Sequence, residues 1–381
     1  MNDNLMDGQS IEARLDALKN ELDTFMEESM GYPVAFDFDY QQLAPFLDYS
    51  LNNIGDPFLS PTYRLHTHEF EREVLGYYAE LTRAPKDQWW GYITNGGTEG
   101  NLYGLYLARE LHPNCIVYFS QDSHYSVAKN LNFLGMRNIM IRALPSGEID
   151  YDDLGETIRI RRDATPVIFA NIGTTMKEGR DDLDRINRIF KKLALEKHYI
   201  HCDAALCGGY AAFLEPRQPW DFADGADSIS ISGHKFIGAP IPCGVVLANK
   251  SNVDRIAHAI AYIGGRDTTI SGSRNGFTPL LLWYALRKLG KSGLKKRLKS
   301  CLDTASYAER SFKKAGIMAW RNPNALTVVF ARPHQEIISK WQLATEGDSS
   351  HIICMPHISK QQVDTLIADI CASQARRQAG A

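Results

Sequence analysis

The sequence predicts an α/β protein in which a mostly parallel sheet is flanked by helices and followed by a small α+β C-terminal domain. From about residue 90 to residue 249, short apolar runs alternate with segments of helical periodicity, a pattern typical of a parallel sheet covered on both faces. After residue 275 the pattern becomes helical and then ends in two strands and a helix. The 381 residues, 44% of them hydrophobic, suffice for one large core with a smaller domain attached.

The first predicted element is an amphipathic helix with Ser10 as its N-cap. Its apolar residues recur at helical spacing and are Ile11, Leu15, Leu18, Leu22 and Phe25. A helix that precedes the α/β pattern must cover another surface, either its own domain or a second subunit, and we favour the second subunit. Residues 31–40, GYPVAFDFDY, are predicted to form a loop.

Seven strands and four helices follow. The strands read, in chain order, WGYIT, CIVYFS, NIMIRAL, PVIFANIG, YIHCDAA, DSISISG and CGVVLAN. The helices between the first five strands read EGNLYGLYLAREL, SVAKNLNFLG, DYDDLGETIRIRR and DDLDRINRIFKKLALEK. The last two strands are separated only by a short turn, which allows one of them to run antiparallel.

Three regions are predicted along the chain. Residues 1–60 form an N-terminal helical and loop segment expected to contact a second subunit, residues 61–285 a large ligand-binding α/β domain, and residues 286–381 a small α+β domain. In the last region TPLLLWYALRKLG, which begins just before the boundary, and LDTASYAERSFKKAG predict helices. ALTVVFARP and HIICMPH predict strands, and residues 359–374 a final helix.

The composition of the chain limits the classes of protein to which it could belong. The net charge of −3 does not favour nucleic acid or an anionic membrane. The basic run LRKLGKSGLKKRLKS has the spacing of a solvated helix face. The seven cysteines are widely spaced without a CxxC pair, which indicates reduced thiols. No apolar run reaches about 18 residues, and the N-terminus is unlike a signal peptide, so we expect a cytoplasmic protein.

Groups that could carry chemistry follow five of the predicted strands. They are the NGGTEG run, His124, Thr174, Asp203 and Lys235. The carboxyl ends of parallel strands meet at one edge of a sheet, where ligands bind. The NGGTEG run opens a helix and could hold a phosphate, although it fits neither G-x-G-x-x-G nor the P-loop. Each group alone also has a structural interpretation: a tight turn, a loop histidine, a cap or a solvated lysine.

Together these groups indicate a specific cofactor. A lysine in a dry pocket loses its proton more easily than one in water, and it can form an imine with an aldehyde. Pyridoxal 5'-phosphate is an aldehyde that also needs a phosphate cradle, an acid for its ring nitrogen and a flat group over its face. Lys235, the NGGTEG run, Asp203 and His124 could supply these four features, so we predict this cofactor.

Several motifs carry a resemblance to a known family. They are NGGTEGN, DSHYSVAK, NIGTT, HCDAALCG, SGHKFIGAPIPCG and GSRNG. Together they resemble the pyridoxal-phosphate group II amino-acid decarboxylases, in particular bacterial histidine decarboxylases, and plant-type serine decarboxylases are also similar. The resemblance covers nearly the whole chain. It implies the aspartate-aminotransferase-like fold-type I and a homodimer with its active site near the subunit interface.

The resemblance also implies an activity and a set of site residues. The implied reaction is decarboxylation of L-histidine to histamine, with L-serine decarboxylation to ethanolamine or another activity such as transamination as alternatives. Lys235 would bind the cofactor aldehyde, Asp203 the ring nitrogen and His124 the ring face and the substrate. The remaining implied residues are Gly97, Thr98, Ser232 and His234 near the phosphate, Thr174 and Ala205 near the ring, and Tyr262 as a proton donor or a packing aromatic.

Other interpretations stay open at this point. Arg266 or Arg274 could clamp a substrate carboxylate, as in aminotransferases, although a structural or phosphate-side role is favoured for Arg274. A zinc hydrolase would need ligands among the histidines, which include His66, His68, His124, His201 and His234, but no Glu-x-x-His pattern accompanies them. A non-catalytic scaffold of the same fold is the last alternative. We expect residues 31–40 and 262–276 to shape the substrate pocket.

Overall fold

A seven-stranded sheet lies at the centre of the molecule. The structure is a computed structural model, and it describes residues 10–260 and 265–379. The strands of this sheet are β1 (Trp89–Thr94), β2 (Cys115–Ser120), β3 (Asn138–Ile141), β4 (Thr165–Asn171), β5 (Tyr199–Asp203), β6 (Ser228–Ser232) and β7 (Gly244–Asn249). They lie in the order β1-β7-β6-β5-β4-β2-β3. β7 is antiparallel to both neighbours, β1 and β6, and the other paired strands are parallel. The predicted mostly parallel sheet, with one antiparallel strand beside the Lys235 turn, is confirmed.

Helices cover both faces of this sheet. The α-helices of the described residues are α1 (Ile11–Glu27), α2 (His68–Leu81), α3 (Gly97–Leu111), α4 (Ser126–Leu134), α5 (Tyr151–Ile160), α6 (Leu183–Lys192), α7 (Lys250–Asp254), α8 (Phe277–Lys314), α9 (Gln335–Lys340) and α10 (Lys360–Ala379). Alternate residues of the strands enter two separate apolar layers: Val117 and Val167 lie on the α3 side, and Ile116 and Ile168 on the other. Burial on both faces explains why the strands read as nearly continuous apolar runs.

Two smaller sheets complete the fold. β10 (Ala319–Trp320), β11 (Thr327–Ala331), β12 (Ala344–Glu346) and β13 (Ser349–Ile353) form an antiparallel sheet in the order β10-β11-β13-β12. β8 (His258–Ile260) and β9 (Gly265–Asp267) form a two-stranded ribbon. The two helices predicted after residue 275 form the single element α8 with a kink at Gly290, where φ is 58°. α8 runs through the predicted boundary at residue 285, and the division into three regions stays a prediction.

The N-terminal helix α1 forms where it is predicted. The side chain of Ser10 caps it by accepting a hydrogen bond from the N–H of Ala13 at 3.1 Å. α1 buries none of its residues against the rest of the chain, and its apolar stripe from Ile11 to Phe25 is 46–70% exposed. In the described ranges, no helix combines the length and the apolar character needed to span a bilayer.

Candidate active site

Five of the six strands that run in the same direction, β1, β2, β4, β5 and β6, carry predicted site residues and end at the same edge of the sheet. At this edge lie the start of α3, the loop between β2 and α4, the loop after β4, the end of β5 and the turn after β6. These positions carry Gly97, His124, Thr174, Asp203 and Lys235 respectively. The sheet therefore brings the predicted site residues to one face of the molecule, as the order of strands and helices requires.

The start of α3 forms an open cradle between two strand ends. A Cβ atom placed on Gly97 would lie 2.9 Å from the Oγ atom of Ser232 and 3.7 Å from the Cβ atom of Ala205. The preceding Gly96 has φ of 144°, a conformation that favours glycine. The first N–H groups of a helix lack acceptors within the helix and attract anions. Any larger side chain at Gly97 would fill the cradle, so its shape fits a phosphate.

Lys235 lies in the turn after β6 and is half-buried. Burial lowers the pKa of its ammonium group, and the nearby Asp203 carboxylate partly opposes this shift. Arg297 stabilises the turn by donating hydrogen bonds to the carbonyl groups of Phe236 and Ile237, at 2.7 and 2.9 Å. Within the described ranges, Lys235 has neither a hydrogen bond nor an ion pair, which leaves its Nζ atom available for reaction.

Asp203 ends β5 and is buried. Its Oδ1 atom accepts a hydrogen bond from the N–H of Ala205 at 3.1 Å, and its Oδ2 atom accepts one from the Nδ2 atom of Asn101 at 2.8 Å. With one donor on each oxygen, the carboxylate keeps acceptor capacity for a ligand N–H. Asn101 was not among the predicted site residues. A signal for it exists, because it follows Gly97 by four positions and therefore shares its face of α3.

His124 is half-buried in the loop before α4. Its Nδ1 atom lies 2.8 Å from the Oγ atom of Ser126. Burial lowers the pKa of the imidazole, the Asp203 carboxylate opposes that shift, and the Lys235 ammonium adds to it. His124, Asp203 and Lys235 are therefore close enough to influence one another electrostatically.

The other predicted residues that the structure describes also lie around this edge. The Oγ1 atom of Thr174 accepts a hydrogen bond from the N–H of Gly179 at 2.9 Å. The Nδ1 atom of His234 lies 2.9 Å from the carbonyl oxygen of Cys243, and burial lowers its pKa. Thr98 is exposed in the first turn of α3. These contacts fix the loops that border the cradle.

Three further residues considered from the sequence are Tyr262, Arg266 and Arg274. Tyr262 lies outside the described residues, and Arg266 lies in β9. Arg274 is buried, forms an ion pair with Glu71 and donates a hydrogen bond to the carbonyl of Gly55 at 2.8 Å. The guanidinium of Arg274 thus joins separate segments of the chain, which supports its structural interpretation over a carboxylate clamp.

The histidines considered for zinc make other contacts. The rings of His66 and His68 lie 4.7 Å apart between centroids, whereas both ring nitrogens of His201 contact side chains of Asn101 and Ser228. Across residues 10–260 and 265–379, no group of three or more His, Cys, Asp or Glu side chains could hold a metal ion. The arrangement gives the zinc-hydrolase alternative no support.

Sequence reasoning also missed contacts between the loops after β2 and β4. Lys177 forms a 2.7 Å ion pair with Asp122, and the Nδ2 atom of Asn171 donates to the Oγ atom of Ser123 at 3.1 Å. The parallel pairing of β2 with β4 brings these loops together. Nothing in the local sequence of either loop indicates the pairing, because it depends on strand order.

The described residues fit pyridoxal phosphate. Lys235 is free to bind an aldehyde, Asp203 can accept from a ring N–H, and the glycine cradle at the start of α3 suits a phosphate. The sequence profile of the pyridoxal-dependent decarboxylase conserved domain matches residues 66–331 of the chain. The chain belongs to the pyridoxal-dependent decarboxylase family.

Similar proteins agree with this assignment. A histidine decarboxylase from Mesorhizobium japonicum is 51% identical over 355 residues, which cover 92% of this chain and 96% of the relative. A histidine decarboxylase from Morganella morganii is 47% identical over 364 residues, covering 93% and 96%. The crystal structure of L-methionine decarboxylase from Streptomyces sp. 590 superposes with a TM-score of 0.87 at 28% identity, covering 98% of this chain and 96% of that one.

Family membership settles three of the predictions. The fold is that of the fold-type I pyridoxal-phosphate enzymes, the cofactor is pyridoxal 5'-phosphate, and the enzyme is a carboxy-lyase. The resemblance inferred from the short motifs is therefore confirmed over most of the chain.

Proposed function

We propose that this decarboxylase converts L-histidine to histamine and carbon dioxide. One observation carries the proposal: relatives that are 46–51% identical over at least 90% of the chain are histidine decarboxylases. The family profile alone does not identify the substrate, and the similar enzyme from Streptomyces sp. 590 is a decarboxylase of a different amino acid, L-methionine. L-Serine, the alternative substrate indicated by the sequence, therefore belongs in the test.

The same proposal assigns the residues that would hold the cofactor. Lys235 would bind its aldehyde, Asp203 its ring nitrogen and His124 its ring face. The phosphate group would lie against Gly97, Thr98, Ser232 and His234, with Thr174 and Ala205 flanking the ring. When bound, the cofactor supplies a ring that accepts the electrons left on the substrate as its carboxylate departs.

The chain's own residues prepare this reaction by position and charge. A lowered pKa makes the Lys235 amine easier to deprotonate, and only the neutral amine attacks a carbonyl carbon. The donors on Asp203 hold its carboxylate in one orientation, which avoids reorganisation during the reaction. The half-buried His124 imidazole favours its neutral form and can then cover a flat ligand without adding a charge.

We also propose Tyr262, which lies outside the described residues, as the Cα proton donor, since a phenol has a proton to give. The test is Tyr262→Phe, which should lower kcat while leaving KM for the amino acid nearly unchanged. A variant with the wild-type kcat would exclude Tyr262 as the donor.

The enzyme is proposed to act as a homodimer with its active site near the subunit interface. The exposed apolar stripe of α1 supports this, because a monomer rarely leaves such a contiguous surface in water. The segment after α1 reaches the Lys235 turn: the hydroxyl of Tyr40 donates to the carbonyl of Gly238 at 3.1 Å. A Cβ atom on Gly238 would lie 3.0 Å from that of Ala35. The segment that follows α1 thus borders the Lys235 turn, which supports an active site near the proposed interface.

A cytoplasmic location is the last part of the proposal. All seven cysteines are free, and six of them are buried, as expected in a reducing compartment. Subcellular fractionation with an antibody to the purified enzyme tests it, and recovery in a membrane or secreted fraction would contradict it.

A panel of amino acids scored by carbon dioxide release tests the activity. The panel holds L-histidine, L-serine, L-methionine and L-glutamate, each with and without added pyridoxal phosphate, and products are identified by mass spectrometry. We expect the highest kcat/KM for L-histidine with histamine as product. A higher value for L-serine would replace the substrate assignment, and a keto acid in place of an amine would indicate transamination.

A further inference from the structure

A line of buried polar side chains runs from Asp203 away from the cradle and into the α3 side of the sheet. Its members are Asn101, His201, Ser228 and Tyr199, each at most 2% exposed. Successive polar atoms are in hydrogen-bond contact: Asn101 with Asp203 at 2.8 Å, His201 with Asn101 at 3.0 Å, Ser228 with His201 at 2.7 Å and Tyr199 with Ser228 at 2.9 Å.

The chemistry of the groups gives this line a single direction. A carboxylate only accepts hydrogen bonds, so the Nδ2 atom of Asn101 faces Asp203 and its Oδ1 atom accepts from the Nε2–H of His201. Burial lowers the pKa of His201 to about 3, so the ring is neutral and its Nδ1 atom accepts a hydrogen bond. The hydroxyl of Ser228 supplies that proton.

The last link follows in the same way. Because the hydroxyl proton of Ser228 is used on His201, the hydroxyl of Tyr199 must donate to Ser228. Every donor in the line therefore points toward Asp203. Hydrogen bonds aligned in one direction polarise one another and strengthen the last bond, here the bond to the carboxylate.

The fold makes room for this line in an otherwise apolar layer. A Cβ atom on Gly104 would lie 2.1 Å from the Nδ1 atom of His201, so glycine is needed for α3 to pass over the imidazole. Tyr199, His201 and Asp203 alternate along β5 and therefore point to one face of the sheet. Ser228 lies opposite His201 in the parallel register of β5 and β6. Burying polar groups costs free energy that apolar residues would avoid, which suggests a functional reason.

We propose that Asn101, His201, Ser228 and Tyr199 are positioning residues that hold Asp203 as a fixed, strong hydrogen-bond acceptor for the ring nitrogen of the cofactor. The proposal rests on the role of Asp203 given in the proposed function. All four residues are buried and linked to one another and to Asp203 by hydrogen bonds, so in this proposal they act through the carboxylate. Their effect is therefore on the protonation of the ring nitrogen, which is measurable without turnover.

The test is the ¹⁵N chemical shift of the ring nitrogen in enzyme loaded with ¹⁵N-labelled pyridoxal phosphate. Wild type should give the shift of a protonated ring. Asn101→Leu and His201→Phe remove links of the line and should move the signal toward the unprotonated position. His201→Gln keeps a donor and an acceptor and should stay near wild type. We expect kcat to fall roughly 10- to 100-fold in Asn101→Leu, as for loss of a hydrogen bond to a charged group, with little change in KM.

The far end of the line has a matched control. Tyr199→Phe should shift the signal in the same direction as Asn101→Leu but by less. Tyr78 is also fully buried, and within the described residues its hydroxyl has no hydrogen-bond partner. Tyr78→Phe, the same chemical change outside the line, should leave the ¹⁵N shift at the wild-type value. If Asn101→Leu does not fold, the ¹⁵N shifts of His201→Phe and Tyr199→Phe decide the test.

The outcomes separate this inference from the proposed function. A wild-type enzyme that decarboxylates amino acids, together with wild-type ¹⁵N shifts in His201→Phe and Tyr199→Phe, would overturn the positioning line alone. Equal shifts in His201→Gln and His201→Phe would also overturn it. Glutamine can keep the two hydrogen bonds of the line and phenylalanine cannot, so equal shifts would mean that these hydrogen bonds do not affect the ring nitrogen. A wild-type enzyme that takes up the cofactor but releases no carbon dioxide from any amino acid would overturn the proposed function.

Discussion

The carboxylate of Glu178 accepts a hydrogen bond from the backbone N–H of Leu326, 2.9 Å away. Glu178 belongs to the loop after β4, whereas Leu326 immediately precedes β11 of the C-terminal sheet. The same carboxylate accepts from the N–H and the hydroxyl of Thr327, at 2.9 and 2.8 Å, and from the hydroxyl of Tyr210. The backbone of Glu178 in turn bonds to the carbonyl of Thr174, so this contact joins the C-terminal sheet to a loop of the candidate active site.

Glu178→Ala should lower the free energy of unfolding by about 3–5 kcal/mol, because it leaves several buried donors without an acceptor. Urea denaturation followed by circular dichroism measures the change. The matched control is Glu156→Ala, which removes an exposed carboxylate paired with Arg159 and should cost less than about 1 kcal/mol. Equal effects of the two substitutions would show that the Glu178 contact adds nothing to stability.

Lys235→Ala should abolish turnover and the visible absorbance that borohydride removes from the loaded enzyme, because the proposed covalent link to the cofactor aldehyde is lost. Stopped assays and absorption spectra before and after borohydride measure both effects. Lys250→Ala, which removes an exposed lysine paired with Asp254, should retain wild-type activity and spectrum. Turnover near the wild-type rate in Lys235→Ala would remove this residue from the mechanism.

Asp203→Asn should raise the activation barrier by about 2 kcal/mol or more, since stabilisation of charge in the cofactor ring is electrostatic. That corresponds to a fall in kcat of roughly 30-fold or more. Asp254→Asn on the exposed surface is the matched control. An unchanged kcat in Asp203→Asn would mean that the ring nitrogen has another partner.

Acid should destabilise the enzyme through its buried histidines. Burial lowers the pKa of His201 and of His68 to about 3, from about 6.5 in the unfolded chain. Between these values each of the two histidines binds more protons in the unfolded state than in the folded state, so its contribution to stability falls as the pH is lowered from about 6.5 toward 3. Each histidine contributes at most about 1.4 kcal/mol for each pH unit.

Urea unfolding at several pH values between 7 and 4 measures this dependence. His201→Gln removes one of these buried histidines and should make the fall in stability with acid shallower by about one proton. Wild-type and variant curves that run parallel would show that His201 does not contribute to acid sensitivity.

Leu18→Glu should weaken the proposed dimer, because it places a charge in the apolar stripe of α1 that we assign to the partner subunit. Asn20 lies on the opposite face of the same helix, so Asn20→Glu is the matched control with the same new side chain. Sedimentation velocity should show dissociation at micromolar concentration in Leu18→Glu only. A monomeric wild-type enzyme, or dimers of equal strength in both variants, would contradict the assignment.

Most of the fold follows from local patterns. Except for the edge strand β3, each strand of the large sheet is a short run buried on both faces, so its apolar residues are continuous in sequence. Two of the helices between the strands, α5 and α6, carry their own caps in Asp150 and Asp182. The strand order does not follow from these patterns. The insertion of β7 between β1 and β6 depends on packing between distant segments, and the join of two predicted helices through Gly290 depends on the backbone conformation there.

The residues of the candidate site likewise fall into those that the sequence predicts and those that only the structure identifies. Lys235, Asp203 and His124 could be identified because each follows a strand whose carboxyl end is predictable from sequence. Asn101 shares a helix face with Gly97, but its contact with Asp203 and that of His201 with Asn101 did not follow from the sequence, because they depend on which side chain of α3 meets which side chain of β5. The structural role of Arg274 was distinguished from a carboxylate clamp only when the structure paired its guanidinium with Glu71.

The chain alone was enough to establish the cofactor class, since the lysine, the carboxylate and the glycine-rich turn lie in short segments whose chemistry is local. Tertiary structure decided which polar side chains are hydrogen-bonded in a line to that carboxylate and which loops are hydrogen-bonded to the C-terminal sheet. The physical reason is that hydrogen bonds between distant segments depend on strand order and on close packing of α3 over the sheet, and neither is encoded in any single stretch of residues.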